Sequence, residues 1–234
     1  HTRGPIPVRE ACEYVIQACE AIAEAHRHGI VHRDLKPANL FLTSGAGGEP
    51  VVKVLDFGVS KVLELEMEDD TSPGGRPRRG VDSVVTMAPE QVMSARNADA
   101  QSDIWSLGVI LFRLISGKAP FHATSLGELI QQIMHGAVPN LRDAKPDLPP
   151  GLEHVVARCL ERDKSKRLAD ATELARLLAP YAGPVATPSL ERIAILGPAL
   201  LTMPNAPRPS VPSFTQSASA SAWTSAPAVA APEP

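Results

Sequence analysis

Aromatic side chains are scarce in this 234-residue sequence: Phe, Tyr and Trp make up 4% of it, although 44% of the residues are hydrophobic. A core must therefore consist mainly of Leu, Val, Ile and Ala side chains. An excess of one charge is also lacking, because the net charge is −3, so nothing favours nucleic acid or an anionic membrane as a partner. The longest late apolar run, residues 193–203, contains Pro198 and is too short to cross a bilayer. We therefore predict no membrane span.

Cysteine is rare, and its three positions show no paired spacing. Cys12 and Cys19 lie seven residues apart, which places them on one face of a helix and predicts buried, small apolar side chains rather than a disulfide. His26, His28 and His32 follow Cys19 closely, but no second ligand cluster stands at zinc spacing, so we interpret them as helix-end and loop histidines rather than zinc ligands. A reducing, cytoplasmic location fits this cysteine pattern best.

The apolar pattern predicts a mostly helical protein with little strand. Apolar residues recur at three- and four-residue steps from Val8 to Ile22, which indicates a helix that ends near Gly29. Residues 103–115 are apolar on nearly every side, as in a helix buried at the centre of a domain. Shorter signals are two helix-starting capping boxes and one strand pattern, at residues 125–128, 170–173 and 51–55.

The composition changes after Ala182. Residues 205–234 are mostly Pro, Ala, Ser and Thr and carry almost no charge. Such a segment cannot bury enough apolar surface to offset the entropy lost on ordering. We therefore predict a folded domain at residues 1–182, followed by a Pro/Ala/Ser-rich linker or disordered tail at residues 183–234.

Four short motifs follow one another along the folded part. They are His-Arg-Asp-Leu-Lys-Pro-Ala-Asn at 32–39, Asp-Phe-Gly at 56–58, Ala-Pro-Glu at 88–90 and Asp-Ile-Trp-Ser-Leu-Gly at 103–108. In this order and spacing they resemble the protein kinase family over about residues 5–180. Lys36 and the sequence Met-Ala-Pro-Glu-Gln at 87–91 resemble the serine/threonine class, especially its bacterial, eukaryotic-like members. The implied fold is a protein-kinase-like C-terminal lobe, mostly α with minor β.

The resemblance implies transfer of the ATP γ-phosphate to Ser or Thr of protein substrates. Asp34 would be the general base that accepts the proton of the substrate hydroxyl, and Lys36 would offset negative charge beside the γ-phosphate. Asn39 and Asp56 would supply oxygen ligands to Mg²⁺, which prefers hard ligands and leaves other positions to phosphates and water. The implied catalytic residues are thus Asp34 and Lys36, and the residues implied to hold ATP and Mg²⁺ are Lys36, Asn39 and Asp56.

Other motif residues have structural roles in the family. The motif at residues 32–39 corresponds to the catalytic loop of the family. The resemblance implies that His32 packs within this loop, that Asp103 holds its backbone, and that Glu90 forms a buried ion pair with Arg167. Arg33 is implied to receive a phosphorylated activation segment; the alternative is that it contacts only backbone. The candidate phosphorylated hydroxyls are those of Thr71, Ser72, Ser83 and Thr86.

The sequence departs from the family pattern in two places. Only 31 residues precede His32, and they contain no glycine-rich loop, strand lysine or pairing glutamate, so we expect a fragment that lacks the N-terminal lobe and is inactive by itself. Residues 82–86, Asp-Ser-Val-Val-Thr, replace the usual Gly-Thr-Pro-x-Tyr, although Ser83 keeps a hydroxyl able to bridge Asp34 and Lys36. Two alternatives stay open: a pseudokinase-like protein-binding module without turnover, and a gene remnant without function.

Overall fold

A long N-terminal helix, α1 (Val8–Arg27), confirms the first predicted helix. The computed structural model describes residues 4–57 and 83–197. The apolar stripe of α1 is buried, and the backbone turns away at Gly29, whose φ of +71° favours glycine. Cys12 and Cys19 lie on the buried face, and all three cysteines are free and buried. The prediction that Cys12 and Cys19 are buried side chains on one helix face is therefore confirmed.

A small β-hairpin follows the catalytic-loop motif. A 3₁₀ turn at Pro37–Asn39 leads into β1 (Leu40–Ser44), which pairs antiparallel with β2 (Pro50–Val54). The predicted strand at 51–55 corresponds to β2, whereas β1 was not predicted. Strand β2 also packs against α1. Within the described ranges this hairpin is the only sheet, so the expectation of a mostly helical fold with minor strand content is confirmed.

The centre of the fold is a helix that is buried on nearly every side. After α2 (Pro89–Met93) and a 3₁₀ turn at Ala95–Asn97, α3 runs over Ala100–Ser116. The Asp99 side chain accepts hydrogen bonds from two backbone amides of the first turn and so caps α3. Gly108 allows close packing, because a Cβ there would overlap that of Cys159. Gly117, with φ +75°, ends the helix in the left-handed region.

Four shorter helices follow α3 within residues 118–182: α4 (Leu126–His135), α5 (Leu141–Ala144), α6 (Leu152–Cys159) and α7 (Ala171–Leu178). Both predicted capping boxes start a helix. The Ser125 hydroxyl accepts from the Glu128 amide at 3.2 Å, and the Asp170 carboxylate accepts from the Glu173 amide at 2.8 Å. The two glutamate side chains, however, accept from the amides of Thr124 and Ala169, one residue before each cap. The helix starts were thus predicted from the right residues.

The folded unit extends beyond the predicted boundary at residue 182. After 3₁₀ turns at Ala179–Tyr181 and Pro184–Ala186, helix α8 spans Thr187–Leu196 and packs on α1 and α7. Ile193 is buried, and Arg192 forms an ion pair with Glu20 of α1. The predicted linker at 183–234 is therefore wrong at its start, because apolar residues at helical spacing bury part of this stretch. Residues 198–234 lie outside the described residues.

Helix α8 also borders a cavity. With α1 and β2 it lines a partly open cavity of about 700 Å³, whose walls include Gln17, Val52 and Arg192. None of the motif residues lines this cavity. Among the described helices, none is both long and apolar enough to cross a membrane.

Candidate active site

The catalytic loop brings together Asp34, Lys36 and Ser83. The Lys36 Nζ donates hydrogen bonds to Asp34 Oδ2 at 2.7 Å and to Ser83 Oγ at 3.1 Å. The Asp34 and Lys36 side chains are 36% and 22% exposed, so a substrate can reach both. The Ser83 hydroxyl was predicted to bridge Asp34 and Lys36. In the structure it contacts Lys36, and the ammonium group of Lys36 connects it to Asp34. This ammonium group sits where it can also meet an incoming anion.

The connection between the catalytic loop and the β-hairpin determines the positions of Asn39 and Asp56. The Asn39 Nδ2 donates to Asp34 O at 2.8 Å, which leaves its Oδ1 as an acceptor. The backbone amide of Leu55 donates to Asn39 O at 2.8 Å, so Asp56 is held one residue away from this contact. Asp56 is exposed and has a left-handed backbone, with φ 55°, a region that aspartate tolerates better than most residues. The loop therefore places Asn39 beside Asp34, and Asp56 follows directly after the backbone contact to Asn39.

His32 joins the catalytic loop to the end of β2. Its side chain is fully buried; the Nδ1 accepts from the Asp34 amide at 3.3 Å, and the Nε2 lies 2.9 Å from Leu55 O. These two contacts assign the proton to Nε2, which donates to the carbonyl. The imidazole also packs against Phe57, with ring centroids 5.0 Å apart. The expectation that His32 packs and hydrogen-bonds within the loop is confirmed.

Asp103 holds the loop backbone from α3. Its Oδ2 accepts from the His32 amide and its Oδ1 from the Arg33 amide, both at 2.9 Å. Arg33 has a left-handed backbone, with φ 67°, which costs conformational energy in a residue with a Cβ. The two hydrogen bonds help to maintain this conformation. The predicted role of Asp103 is therefore confirmed.

His26 is a partner of Asp103 that the sequence did not single out. Its Nε2 lies 2.8 Å from Asp103 Oδ2, and both side chains are almost completely buried. The carboxylate that positions the catalytic loop is thus itself positioned by a residue at the end of α1. We had expected His26 only to end a helix. A histidine six residues before His32 gives no local signal of this contact, because the two groups meet only when α1 packs against α3.

The predicted ion pair between Glu90 and Arg167 is present. Two guanidinium nitrogens contact the two carboxylate oxygens at 2.7 and 3.1 Å, and the Arg167 side chain is completely buried. Ser102 Oγ also donates to Glu90 Oε1 at 2.7 Å. Burial raises the pKa of Glu90, but hydrogen bonds from Arg167 and Ser102 and the arginine charge outweigh it, so the pKa of this carboxyl lies below its usual 4.5. The pair ties α2 to the loop before α7.

The unusual segment before α2 is anchored despite its sequence. Gln91 donates from Nε2 to Arg33 O at 2.8 Å and accepts from the Ala88 amide at 3.1 Å, so it connects α2 to the catalytic loop. Thr86 is 4% exposed and donates to Ser83 O, while its own carbonyl accepts from Ser106 at 2.7 Å. Because the Thr86 hydroxyl is buried and used, Thr86 is a poor phosphorylation site. Thr71 and Ser72 lie outside the described residues.

The donor set suits a small divalent cation. An Asn amide oxygen and a carboxylate are the hard ligands that Mg²⁺ accepts, usually with phosphate and water oxygens in the remaining positions. Within the described residues, no group of three His, Cys, Asp or Glu side chains could hold a metal by itself. The pair Asn39 and Asp56 therefore fits a metal that arrives with a phosphate ligand better than a permanently bound ion.

Comparison with known proteins places the chain in a family. Residues 1–177 match the family described as "Protein kinase domain". The probable serine/threonine-protein kinase PknB of Lactococcus lactis is 34% identical over 172 residues, which cover 73% of this chain and 26% of that protein. PknB of Mycolicibacterium smegmatis is 32% identical over 99% of this chain and 38% of its own length. Pkn2 of Myxococcus xanthus is 37% identical over 76% of this chain and 21% of its length.

The fold agrees with this match. A crystal structure of Rad53 in complex with AMP-PNP superposes with a TM-score of 0.55 at 22% identity, covering 76% of this chain and 41% of that one. The chain belongs to the protein kinase family and resembles its bacterial-type serine/threonine members. It spans between 21% and 38% of the length of the three curated relatives described above.

Proposed function

We propose that this chain is the C-terminal lobe of a serine/threonine protein kinase that transfers the γ-phosphate of ATP to proteins. The observation that carries the proposal is the contact of Lys36 Nζ with both Asp34 and Ser83, at 2.7 and 3.1 Å. It joins a partly exposed carboxylate, a cation and the segment before α2 at one point. A binding module without turnover would have no need for this arrangement.

Each residue has a role in such a transfer. Asp34 accepts the proton of the substrate hydroxyl as that oxygen approaches the γ-phosphorus. Lys36 lies against Asp34 and stabilises negative charge on the transferring phosphoryl group. Asp103 and His32 act indirectly, because they hold the backbone on which Asp34 and Lys36 are mounted. Rigid mounting matters, since orientation of the reacting groups can contribute about 7–11 kcal/mol to lowering a barrier.

ATP and Mg²⁺ are the proposed cofactors. Asn39 Oδ1 and the Asp56 carboxylate would hold the metal, which when bound neutralises phosphate charge. The hydrogen bond from Asn39 Nδ2 to Asp34 O supports this assignment, because it directs the amide oxygen away from the loop backbone. Lys36 adds a further positive charge for the phosphates.

The printed sequence contains no glycine-rich loop, strand lysine or pairing glutamate before His32. These elements cover and fix the phosphates in the family. We propose that the 234 residues alone therefore bind ATP weakly and do not transfer phosphate. Calorimetry with Mg-ATP tests this directly, and micromolar affinity together with Asp34-dependent transfer by the isolated chain would contradict it.

The decisive experiment compares variants of the full-length protein that carries this chain. Asp34→Asn is expected to retain ATP binding but to slow transfer from radiolabelled ATP about 10²–10⁴-fold, whereas Asp56→Asn should weaken Mg-ATP binding. Asp143→Asn is the matched control, since Asp143 is exposed on α5 and lies outside the site. Full turnover by Asp34→Asn would remove Asp34 from the proposed role, and a wild-type protein without any transfer would remove the kinase proposal itself.

A further inference from the structure

A second cavity lies beside the segment that carries Ser83. Its volume is about 230 Å³, several times the roughly 30 Å³ that a water molecule occupies in the liquid. Its walls are partly apolar and partly basic, and include Val85, Arg113, Phe121, His122, Ala123 and Leu129. We call this cavity the Arg113 pocket. It is large enough to take one amino-acid side chain.

The pocket is close to the proposed point of phosphoryl transfer. Val85 lines it and stands two residues after Ser83, whose Oγ contacts the same Lys36 Nζ that binds Asp34. Two residues span at most about 7 Å of chain. A peptide whose hydroxyl reaches Asp34 can therefore reach the pocket with a residue that lies a few positions away.

The charges in the pocket have one sign. Arg113 is half-buried in the last turn of α3, and within the described residues it forms no ion pair, although other arginines such as Arg142, Arg158 and Arg167 do. His122 is exposed at the rim and offers a ring nitrogen. No acidic residue is among the described residues that line the pocket. The carboxylate of Glu128, next to Leu129, is occupied by the amide and hydroxyl of Thr124.

A purely structural role could also explain an arginine at position 113. A cation in the last turn of a helix interacts favourably with the carbonyl end of the helix. This interaction does not require a cavity in front of the guanidinium group, nor apolar walls around it. A half-buried cation that has no ion-pair partner among the described residues, at a side-chain-sized cavity, is the feature that points to a ligand. A carboxylate would complete the charge pair, and its methylene groups would lie against the half-buried Ala119 and Ala123.

We propose that the Arg113 pocket selects protein substrates with an acidic residue, Asp or Glu, a few positions from the phosphorylated Ser or Thr. This proposal rests on the proposed kinase function. The guanidinium group of Arg113 binds the carboxylate, and a basic residue at the same substrate position is repelled. The pocket therefore determines which sequences are phosphorylated, while Asp34 and Lys36 determine that transfer occurs.

The test uses the full-length protein and three families of serine peptides. A single Glu, Gln or Lys is moved through about four positions on each side of the acceptor, the distance over which a chain can reach the pocket. Ratios of kcat/KM between peptides are compared within one enzyme preparation, so the active fraction cancels. The wild type should prefer Glu over Gln about fivefold at one or two positions, the upper range for a partly exposed charge pair, and added salt should reduce this preference.

Charge-changing variants then assign the preference. Arg113→Glu should reverse the charge preference in favour of Lys. Arg113→Gln should abolish the preference, and this second variant keeps the proposal testable if Arg113→Glu does not fold. Arg176→Glu is the matched control. This substitution makes the same charge change at an exposed position of α7 that does not line the pocket. Its Glu preference should equal that of the wild type.

The outcomes separate the two proposals. Phosphorylation of all three peptide families without a charge preference, or a Glu preference that survives Arg113→Gln, overturns the Arg113 pocket while the kinase function stands. If the wild type phosphorylates none of the peptides and does not phosphorylate itself, the kinase function fails, and the substrate proposal fails with it.

Discussion

Replacing Arg167 by methionine removes the positive charge of the Glu90–Arg167 ion pair and keeps much of the side-chain volume. The guanidinium group also donates to the carbonyls of Glu161 and Gln101 and lies 5.3 Å from the centre of the Trp105 ring. The variant therefore leaves a carboxylate in a largely dry site with only part of its partners. The protein must then protonate Glu90, expose it or rearrange the loop.

The expected loss of unfolding free energy is about 3 kcal/mol. Breaking a buried pair by removing one partner typically costs about 3–5 kcal/mol. The lower end applies because Glu90 is 12% exposed and keeps its hydrogen bond from Ser102 at 2.7 Å. Lys164, whose Nζ is 3.6 Å from Glu90 Oε1, supplies some remaining positive charge. Loss of the contact with Trp105 is also destabilising, by about 0.5–2 kcal/mol, so about 3 kcal/mol is the smallest loss that these contacts predict.

Urea unfolding followed by far-ultraviolet circular dichroism measures this loss. Arg158→Met is the control, because Arg158 pairs with Glu173 at 3.0 Å but is 47% exposed, and such a pair contributes about 0–1 kcal/mol. The double variant Glu90→Gln/Arg167→Met should lose less than the sum of the two single variants, since the unpaired charge is gone. If Arg167→Met costs no more than Arg158→Met, the reasoning about the buried carboxylate is wrong.

Three further predictions concern Glu90, His26 and helix α8. Because the pKa of Glu90 is lowered in the folded state, its contribution to stability is fully present above about pH 4.5 and is lost as the pH falls through the lowered value; the stability difference between wild type and Glu90→Gln, measured by urea titration, should shrink over that interval. His26→Leu should lower the kcat of the proposed phosphoryl transfer by the full-length protein with little change in the KM for ATP, and His26→Gln, which restores a donor towards Asp103, should recover most of it; equal losses in both variants would contradict a positioning role. Limited proteolysis should leave a core that ends near Gly197, and rapid cleavage between 183 and 190 would show that α8 does not pack as described.

Long, regular patterns were predictable from the sequence alone. The stripe from Val8 to Ile22 has the period of a helix that buries one face, and α1 occupies it. The capping residues Ser125 and Asp170 act within their own turn, so their hydrogen bonds depend only on nearby residues. Strand β1 was missed because its side chains are mostly exposed or half-buried and it is stabilised by pairing with β2, which lies further along the chain.

The start of the tail shows how composition can mislead. The Pro/Ala/Ser-rich character belongs to residues 205–234, but we assigned it from residue 183 onwards. Residues 187–196 carry Leu190, Ile193 and Leu196 at three-residue steps, and these pack against the core. The helix is short and begins with a proline in its first turn, so its apolar face becomes stable only where α1 and α7 cover it.

The sequence by itself determined which residue types stand in which order, and this order of motifs was enough to assign the family and the candidate residues Asp34, Lys36, Asn39 and Asp56. Only the tertiary structure decided which groups share an atom-to-atom contact. Lys36 and Ser83 are 47 positions apart, and His26 and Asp103 are 77 apart. No local pattern encodes such contacts, because they depend on the packing of α1 against α3 and on the path of the chain between them. The same packing leaves Arg113 unpaired, within the described residues, at the edge of a cavity.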